Sequence, residues 1–437
     1  MKRIFIILLF AATIISAQNK TLSLEESIRI GIQNSKELII SKSKTRFAAA
    51  KISETTSQML PQLKFSASYA RLSDVPPFEV VVPFAPMPIK IQDVILDNYN
   101  LKLSLQQPLF TGFRLGSLKS AAEYNYNASE LEFDAATNDY AVQINEAFWN
   151  FYNSEKVVGL IKEQLVSAEK HLADTKNFLD NGLATMNDVL KLEVQNSNIE
   201  LKLIEAENNR DLARINFNRI IGFDLNAETQ ISVDSINPAP ENFEVQNLIV
   251  EAKNNRKEIK SLESKVLASD ESISAANAGW FPSIYLFGNL YYNKPNQRIM
   301  PAKDEFKDTW DVGVSLNWDL WNWGYTSAQS TQATELKLQA ETSLAQLKDV
   351  IETEVIKEFL NYNKALKKVE VANKSVEQAS ENYRLTVDKY DQQLASSSDL
   401  IDAQAYLLEA ETNLTSALVS FQISKAKLNN AVGRKIY

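Results

Sequence analysis

Phe148-Trp149-Asn150-Phe151-Tyr152 returns 211 residues later as Phe359-Leu360-Asn361-Tyr362-Asn363. The same offset carries Gly182-Leu183-Ala184-Thr185-Met186-Asn187-Asp188-Val189 onto Gln393-Leu394-Ala395-Ser396-Ser397-Ser398-Asp399-Leu400. It also carries Asn218-Arg219-Ile220-Ile221-Gly222 onto Asn429-Asn430-Ala431-Val432-Gly433. Earlier landmarks pair at 221 instead: Asn34 with Asn255, Glu37 with Glu258, Pro61 with Pro282. An insertion between Pro61 and Leu109 accounts for the change. A duplication on this scale means that one architectural unit is used twice.

The segments between landmarks read as very long helices. All twelve prolines lie within 61–108, 238–240 and 282–301, and glycines number only 11 in 437 residues. Without these breakers nothing interrupts 109–237 or 302–437 except the expected turns. Ile144, Phe151, Val158, Leu165, Leu172 and Leu179 fall every seven residues, and Ala147, Ser154, Ile161, Ala168 and Thr175 follow each by three. Val355, Tyr362, Val369, Val376, Tyr383 and Tyr390 repeat the pattern. Large and small residues at heptad spacing make a coiled-coil seam. A helix over about 113–180 would run roughly 100 Å. Asn181-Gly182 predicts its stop and Asn187-Asp188 a new N-cap. Shorter single helices are expected over about 22–58 and 247–278.

Strand-like alternation interrupts these helices. Leu63, Phe65, Ala67 and Tyr69 alternate with polar neighbours, as do Tyr99, Leu101, Leu103 and Leu105, and Trp310, Val312, Val314, Leu316 and Trp318. The run 283–292 alternates less cleanly. Each run approaches the ~10 residues of a tilted membrane strand. Trp310, Trp318, Trp321 and Trp323 suit an interfacial aromatic girdle. A soluble amphipathic sheet would show the same alternation. Four strands cannot close a barrel and an open edge cannot face lipid, so membrane strands require several chains; three chains give twelve.

Composition removes whole classes of chemistry. There is no cysteine, and His171 is the single histidine, expected to be a solvated helix residue. Disulfides, thiolate sites and multi-histidine metal cages are therefore excluded. The net charge of −9 argues against nucleic acid and against a basic membrane-surface protein. Neither a nucleophile elbow nor a phosphate loop is present, so neither catalysis nor an energy source is expected, and no cofactor or metal. Lys2-Arg3, the apolar run Ile4 to Ile15 and Ser16-Ala17 read as a signal peptide over 1–17.

Asn34-Ser35-Lys36-Glu37-Leu38 and Asn255-Arg256-Lys257-Glu258-Ile259 open the repeats, Leu60-Pro61-Gln62 and Phe281-Pro282-Ser283 enter the first strand of each, and Pro108-Leu109-Phe110-Thr111-Gly112 and Asp319-Leu320-Trp321-Asn322-Trp323-Gly324 leave the second. In order and duplication the chain resembles the TolC-like outer-membrane efflux proteins. The family's usual Asn-Pro is Asn-Ser and Asn-Arg here. The resemblance implies a mainly α chain with membrane β-strands, forming a homotrimer in the outer membrane of a Gram-negative bacterium. A twelve-stranded barrel in lipid would sit on a long periplasmic α-helical barrel. It implies an inner-membrane pump of the RND, ABC or MFS class and a periplasmic adaptor as partners. The expected division is a first repeat over 18–222 (strand hairpin about 62–110, helical hairpin about 113–221), a connector over 223–246, and a second repeat over 247–437 (strand hairpin about 283–321, helical hairpin about 324–433).

By the same resemblance, Asp399 and Asp402, with Asp188 from the first repeat, line the periplasmic aperture. Three copies would bring nine carboxylates to one opening, a ring that selects cations. Asp188 and Asp399 are equally natural N-caps, with Asp402 placed as a capping-box acid. The family's basic residue at this aperture falls at Ala395. Gly182, Leu183, Leu394 and Ala395 match the turns that contact the adaptor; a plain helix–helix turn would look the same. The expected function is a passive export duct for small molecules. A type I protein-secretion duct shares the same body, and a secreted coiled-coil scaffold is the alternative from another class.

Overall fold

Two helices of 67 residues dominate the molecule, each in a proline-free stretch. A computed structural model describes residues 21–84, 86–92, 94–233, 236, 238 and 241–437. The signal-peptide segment 1–17 lies outside them. In order the elements are β1 (Thr21–Leu22), α1 (Leu24–Asn34), α2 (Lys36–Ser57), β2 (Gln62–Arg71), β3 (Phe78–Val80), β4 (Ile89–Gln92), β5 (Asp97–Thr111), α3 (Arg114–Asp180), α4 (Met186–Ile221), β6 (Gln230–Ile231), α5 (Val245–Asn255), α6 (Lys257–Asn277), β7 (Ser283–Lys294), β8 (Lys307–Asn317), α7 (Tyr325–Asp391) and α8 (Ser397–Ala431). They form two units. One holds residues up to 40, 134–257 and 348–437; the other holds 41–133 and 258–347.

In the helical unit the repeated stretch 148–152 supplies much of the core. Phe148 and Phe151 are buried and both meet Phe217, at ring-centroid distances of 6.0 and 5.8 Å. Ile144, Ile221, Leu22 and Ile28 close around them. In the second copy Tyr362 is fully buried, with Phe421 and Phe243 at 5.5 and 5.4 Å. Full burial of each such side chain is worth about 1.5–3 kcal/mol. Further along, Val158, Ile161, Ala168, Ile199 and Ala206 make the seam between α3 and α4. The small alanines let the helices approach closely.

Two expectations need correction here. The single helices expected over 22–58 and 247–278 are each broken, at Ser35 and Arg256. Ser35 has φ −64° and ψ 118°, Arg256 φ −59° and ψ 124°. That φ is close to the one a proline ring imposes, so each break has a proline-compatible geometry without a proline. Ser35 Oγ accepts from Leu38 N–H at 3.2 Å and so starts α2. The neighbouring landmarks hold helix ends. Asn34 Nδ2 donates to Ile221 O at the end of α4 (3.1 Å), and Arg256 Nη1 donates to Asn430 O and Ala431 O at the end of α8 (3.3 Å each). Gly222 (φ +78°) sits so close that a Cβ would meet Asn34 Cβ at 2.6 Å. Glycine is required there on both counts. The second correction concerns His171. It is 6 % exposed rather than solvated, and packs against α7.

The other unit carries one antiparallel four-stranded sheet in the order β2-β5-β7-β8. Its register places Leu63, Phe65, Leu101, Leu103, Leu105, Leu286, Leu290, Trp310, Val312, Val314 and Leu316 on one face. Trp310 is 67 % exposed and Val312, Val314 and Leu316 nearly as much. The opposite face is mostly polar. Pro108 is tolerated within β5 because it sits at a bulge. β2 and β8 are free edges of this sheet within the chain. The connection between β2 and β5 spans 72–96 and contains the small β3–β4 hairpin; that between β7 and β8 spans only 295–306. Among the described residues, no helix is long and apolar enough to cross a membrane.

Candidate functional site

The two helical turns farthest along the chain from the strands, 181–185 and 392–396, carry the candidate residues. Both are built by the same backbone chemistry. Leu183 N–H donates to Phe178 O (2.8 Å) and Gly182 N–H to Leu179 O (2.9 Å). Leu394 N–H donates to Lys389 O (2.8 Å) and Gln393 N–H to Tyr390 O (2.9 Å). This paired pattern satisfies the last carbonyls of a helix and needs one left-handed residue. Gly182 supplies it at φ +72°, Gln393 at φ +62°. Leu183 and Leu394 are left 55 % and 74 % exposed at the turns, with Met186 and Leu190 exposed beside the first. Ala395 is half-buried.

The N-caps fall three residues earlier than expected. Thr185 caps α4 and Ser396 caps α8, and Asp188 and Asp399 are the third-position acids of two capping boxes. Asp188 Oδ2 accepts from Thr185 N–H (3.0 Å) and Thr185 Oγ1 (2.6 Å). Asp399 Oδ2 accepts from Ser396 N–H (2.9 Å) and Ser396 Oγ (2.7 Å). A side-chain oxygen at the cap meets N–H groups that no carbonyl can serve; Thr185 and Ser396 have the extended backbone of a cap, while Asn187 and Ser398 are already helical. These hydrogen bonds, the threonine and serine hydroxyls first, hold both carboxyls below their usual range. Asp402 sits outside any capping box. It is exposed, and its carboxylate has no hydrogen bond or ion pair among the described residues.

The two turns are joined side by side. Ser397 Oγ donates to Asp188 Oδ1 at 2.9 Å, and Lys191 Nζ donates to Ser398 Oγ at 3.2 Å. Behind them a ladder of hydroxyls links α3 to α7. Ser167 and His171 Nε2 both meet Tyr383 OH, at 2.8 and 2.9 Å, and Thr175 meets Tyr390 OH at 2.6 Å. Burial pushes the His171 pKa down, opposed by Asp174 and Asp391. Sequence reasoning placed Tyr383, Tyr390 and Thr175 in the seam but missed their hydrogen bonds. The one-heptad spacing of the two tyrosines, opposite Ser167, His171 and Thr175, was the available signal. Among the described residues no group of three or more potential ligands could hold a metal ion.

The sequence model of the outer membrane efflux protein family matches residues 30–223 and 248–434. The outer membrane protein TolC of Vibrio cholerae is 20 % identical over 407 residues, covering 92 % of this chain and 88 % of that protein. The alkaline protease secretion protein AprF of Pseudomonas aeruginosa is 22 % identical over 355 residues, 78 % of this chain and 71 % of that protein. The crystal structure of the outer membrane protein VceC of Vibrio cholerae superposes with a TM-score of 0.76 at 17 % identity, covering 95 % of this chain and 97 % of that one.

Proposed function

This chain belongs to the outer membrane efflux protein family and is an outer-membrane export channel rather than an enzyme, and we propose that three copies assemble into one continuous duct. The observation that carries this is the four-stranded sheet with two free edges and one apolar face. Unpaired strand edges are untenable in lipid, so β8 of one copy pairs with β2 of the next until the ring closes. Residues 18–222 and 247–437 act as two repeats within each subunit, joined by the connector 223–246.

The periplasmic tips carry Asp188, Asp399 and Asp402 at the aperture. Gly182, Leu183, Leu394 and Ala395 present the surface that an adaptor hairpin grips, exposed leucines supplying the apolar contact. An inner-membrane pump of the RND, ABC or MFS class delivers the cargo of small molecules. AprF, matched over most of this chain, is named for protease secretion, which favours protein cargo as the second reading. The test is fractionation followed by gel mobility with and without heating. A heat-modifiable trimer in the outer membrane is expected; recovery as a detergent-free periplasmic monomer would end the proposal. Loss of the gene then separates the cargoes, by drug susceptibility in one case and by retained protein in the other.

A further inference from the structure

The polar face of the sheet has a charge of its own. Its register groups Lys64, Ser66, Lys102, Ser104, Asn289, Tyr291, Thr309, Asp311 and Lys307 on one side. Asp311 is the one carboxylate among the strand residues of that side, and it is already engaged. It accepts from Arg298 Nη2 at 2.8 Å and from Asn289 Nδ2 at 2.7 Å. Lys307 has Glu305 at 3.8 Å. Lys64 and Lys102 have no carboxylate partner among the described residues. They lie on adjacent strands, Lys64 opposite Ser104 and Lys102 opposite Ser66. Lys102 Nζ rests 5.3 Å from the Tyr291 ring centroid, which holds the ammonium over the face. This local excess of positive charge runs against a chain whose net charge is −9.

We propose that this face makes the membrane-strand section of the duct selective for anions, with Lys64 and Lys102 as its specificity-determining residues. The inference rests on the three-copy barrel proposed above. In that barrel the leucine, valine and tryptophan face meets lipid, because a lysine turned to the bilayer midplane is strongly disfavoured. The lysines therefore line the water. Threefold symmetry brings six uncompensated ammonium groups into one low-dielectric wall, which concentrates their field on the passing solute.

The test is the reversal potential of the purified trimer in planar bilayers under a potassium chloride gradient. Lys64→Gln with Lys102→Gln should shift the permeability ratio several-fold toward cations. Lys102→Arg should leave it in place. The same pair placed in an Asp399→Ala, Asp402→Ala background should give a shift of the same sign, which separates the strand section from the tips. Should the pair fail to assemble, Lys64→Gln alone, at an exposed position, carries the measurement. A ratio unchanged in channels of ordinary conductance overturns the inference and leaves the channel reading standing. Failure of the unsubstituted protein to form any conducting trimer overturns the channel reading and this inference with it.

Discussion

The two tips share a backbone and differ in how they are made. At 181–185 the left-handed position is glycine, at 392–396 it is Gln393. The first tip's acid, Asp188, bonds both its own cap and Ser397 of the other helix; the second tip's acid, Asp399, bonds only its own cap. The first turn is thus relaxed and its acid doubly held; the second is strained and its acid held by its own cap alone. The two copies share one hydrogen-bond pattern and fill it with different residues.

The largest expected effect separates charge from capping. Asp402 is free of the cap, so Asp399→Ala with Asp402→Ala should shift the permeability ratio several-fold toward anions and reduce block by multivalent cations, with the trimer still assembled. If helix stability falls while selectivity and block are unchanged, both aspartates are structural and the aperture lies elsewhere. Next in size is loss of a cap hydroxyl. Thr185→Ala should lower the local stability of the first turn of α4 by about 1 kcal/mol. Ser396→Ala should do the same for α8, as read by hydrogen exchange of those amides. A larger loss at Thr185 than at Ser396 would contradict the cross-linked first tip, because Ser397 still holds Asp188 once the Thr185 hydroxyl is gone.

The left-handed positions should respond with opposite signs. Gly182→Ala has open space around it and so should cost only the backbone strain, on the order of 1 kcal/mol. Gln393→Gly should gain up to about 1 kcal/mol, the left-handed strain it relieves less the entropy that glycine costs. Equal losses at both would remove the asymmetry between the tips. The smallest effect concerns pH. The His171 pKa is lowered by burial, so the unfolded chain binds a proton that the folded chain resists. Stability should therefore fall as pH drops below the ordinary histidine value of about 6.5. Exchange protection in α3 near Tyr383 should weaken there, and His171→Gln should flatten the profile. A profile unchanged by that substitution would assign the pH response to carboxylates.

Much of this was open to reading because its signals are periodic. Heptads gave α3 and α7, and alternation gave β8 down to the face on which Trp310, Val312 and Val314 stand. What escaped depended on single residues in three dimensions. The breaks at Ser35 and Arg256 carry no proline, so nothing local announces them; they exist because Asn34 and Arg256 must reach the ends of α4 and α8. The caps were placed at Asn187-Asp188 when Thr185 and Ser396 had the better claim, since both residue sets satisfy the same preference and only backbone dihedrals separate them. His171 looked solvated because its neighbours in sequence are charged, while its partner Tyr383 lies 212 residues away. Of the candidate site residues, the turns were legible and the division of labour among the aspartates was not.

The free edges of the sheet have a genetic corollary. In the proposed three-copy barrel, a wall to which every subunit contributes a third cannot be partly defective. In a cell making equal amounts of a normal chain and one whose β8 edge is blocked, only about one threefold ring in eight would contain normal chains alone. Such an allele should be dominant over the normal copy, and the degree of dominance counts the subunits in the ring without any need to isolate it.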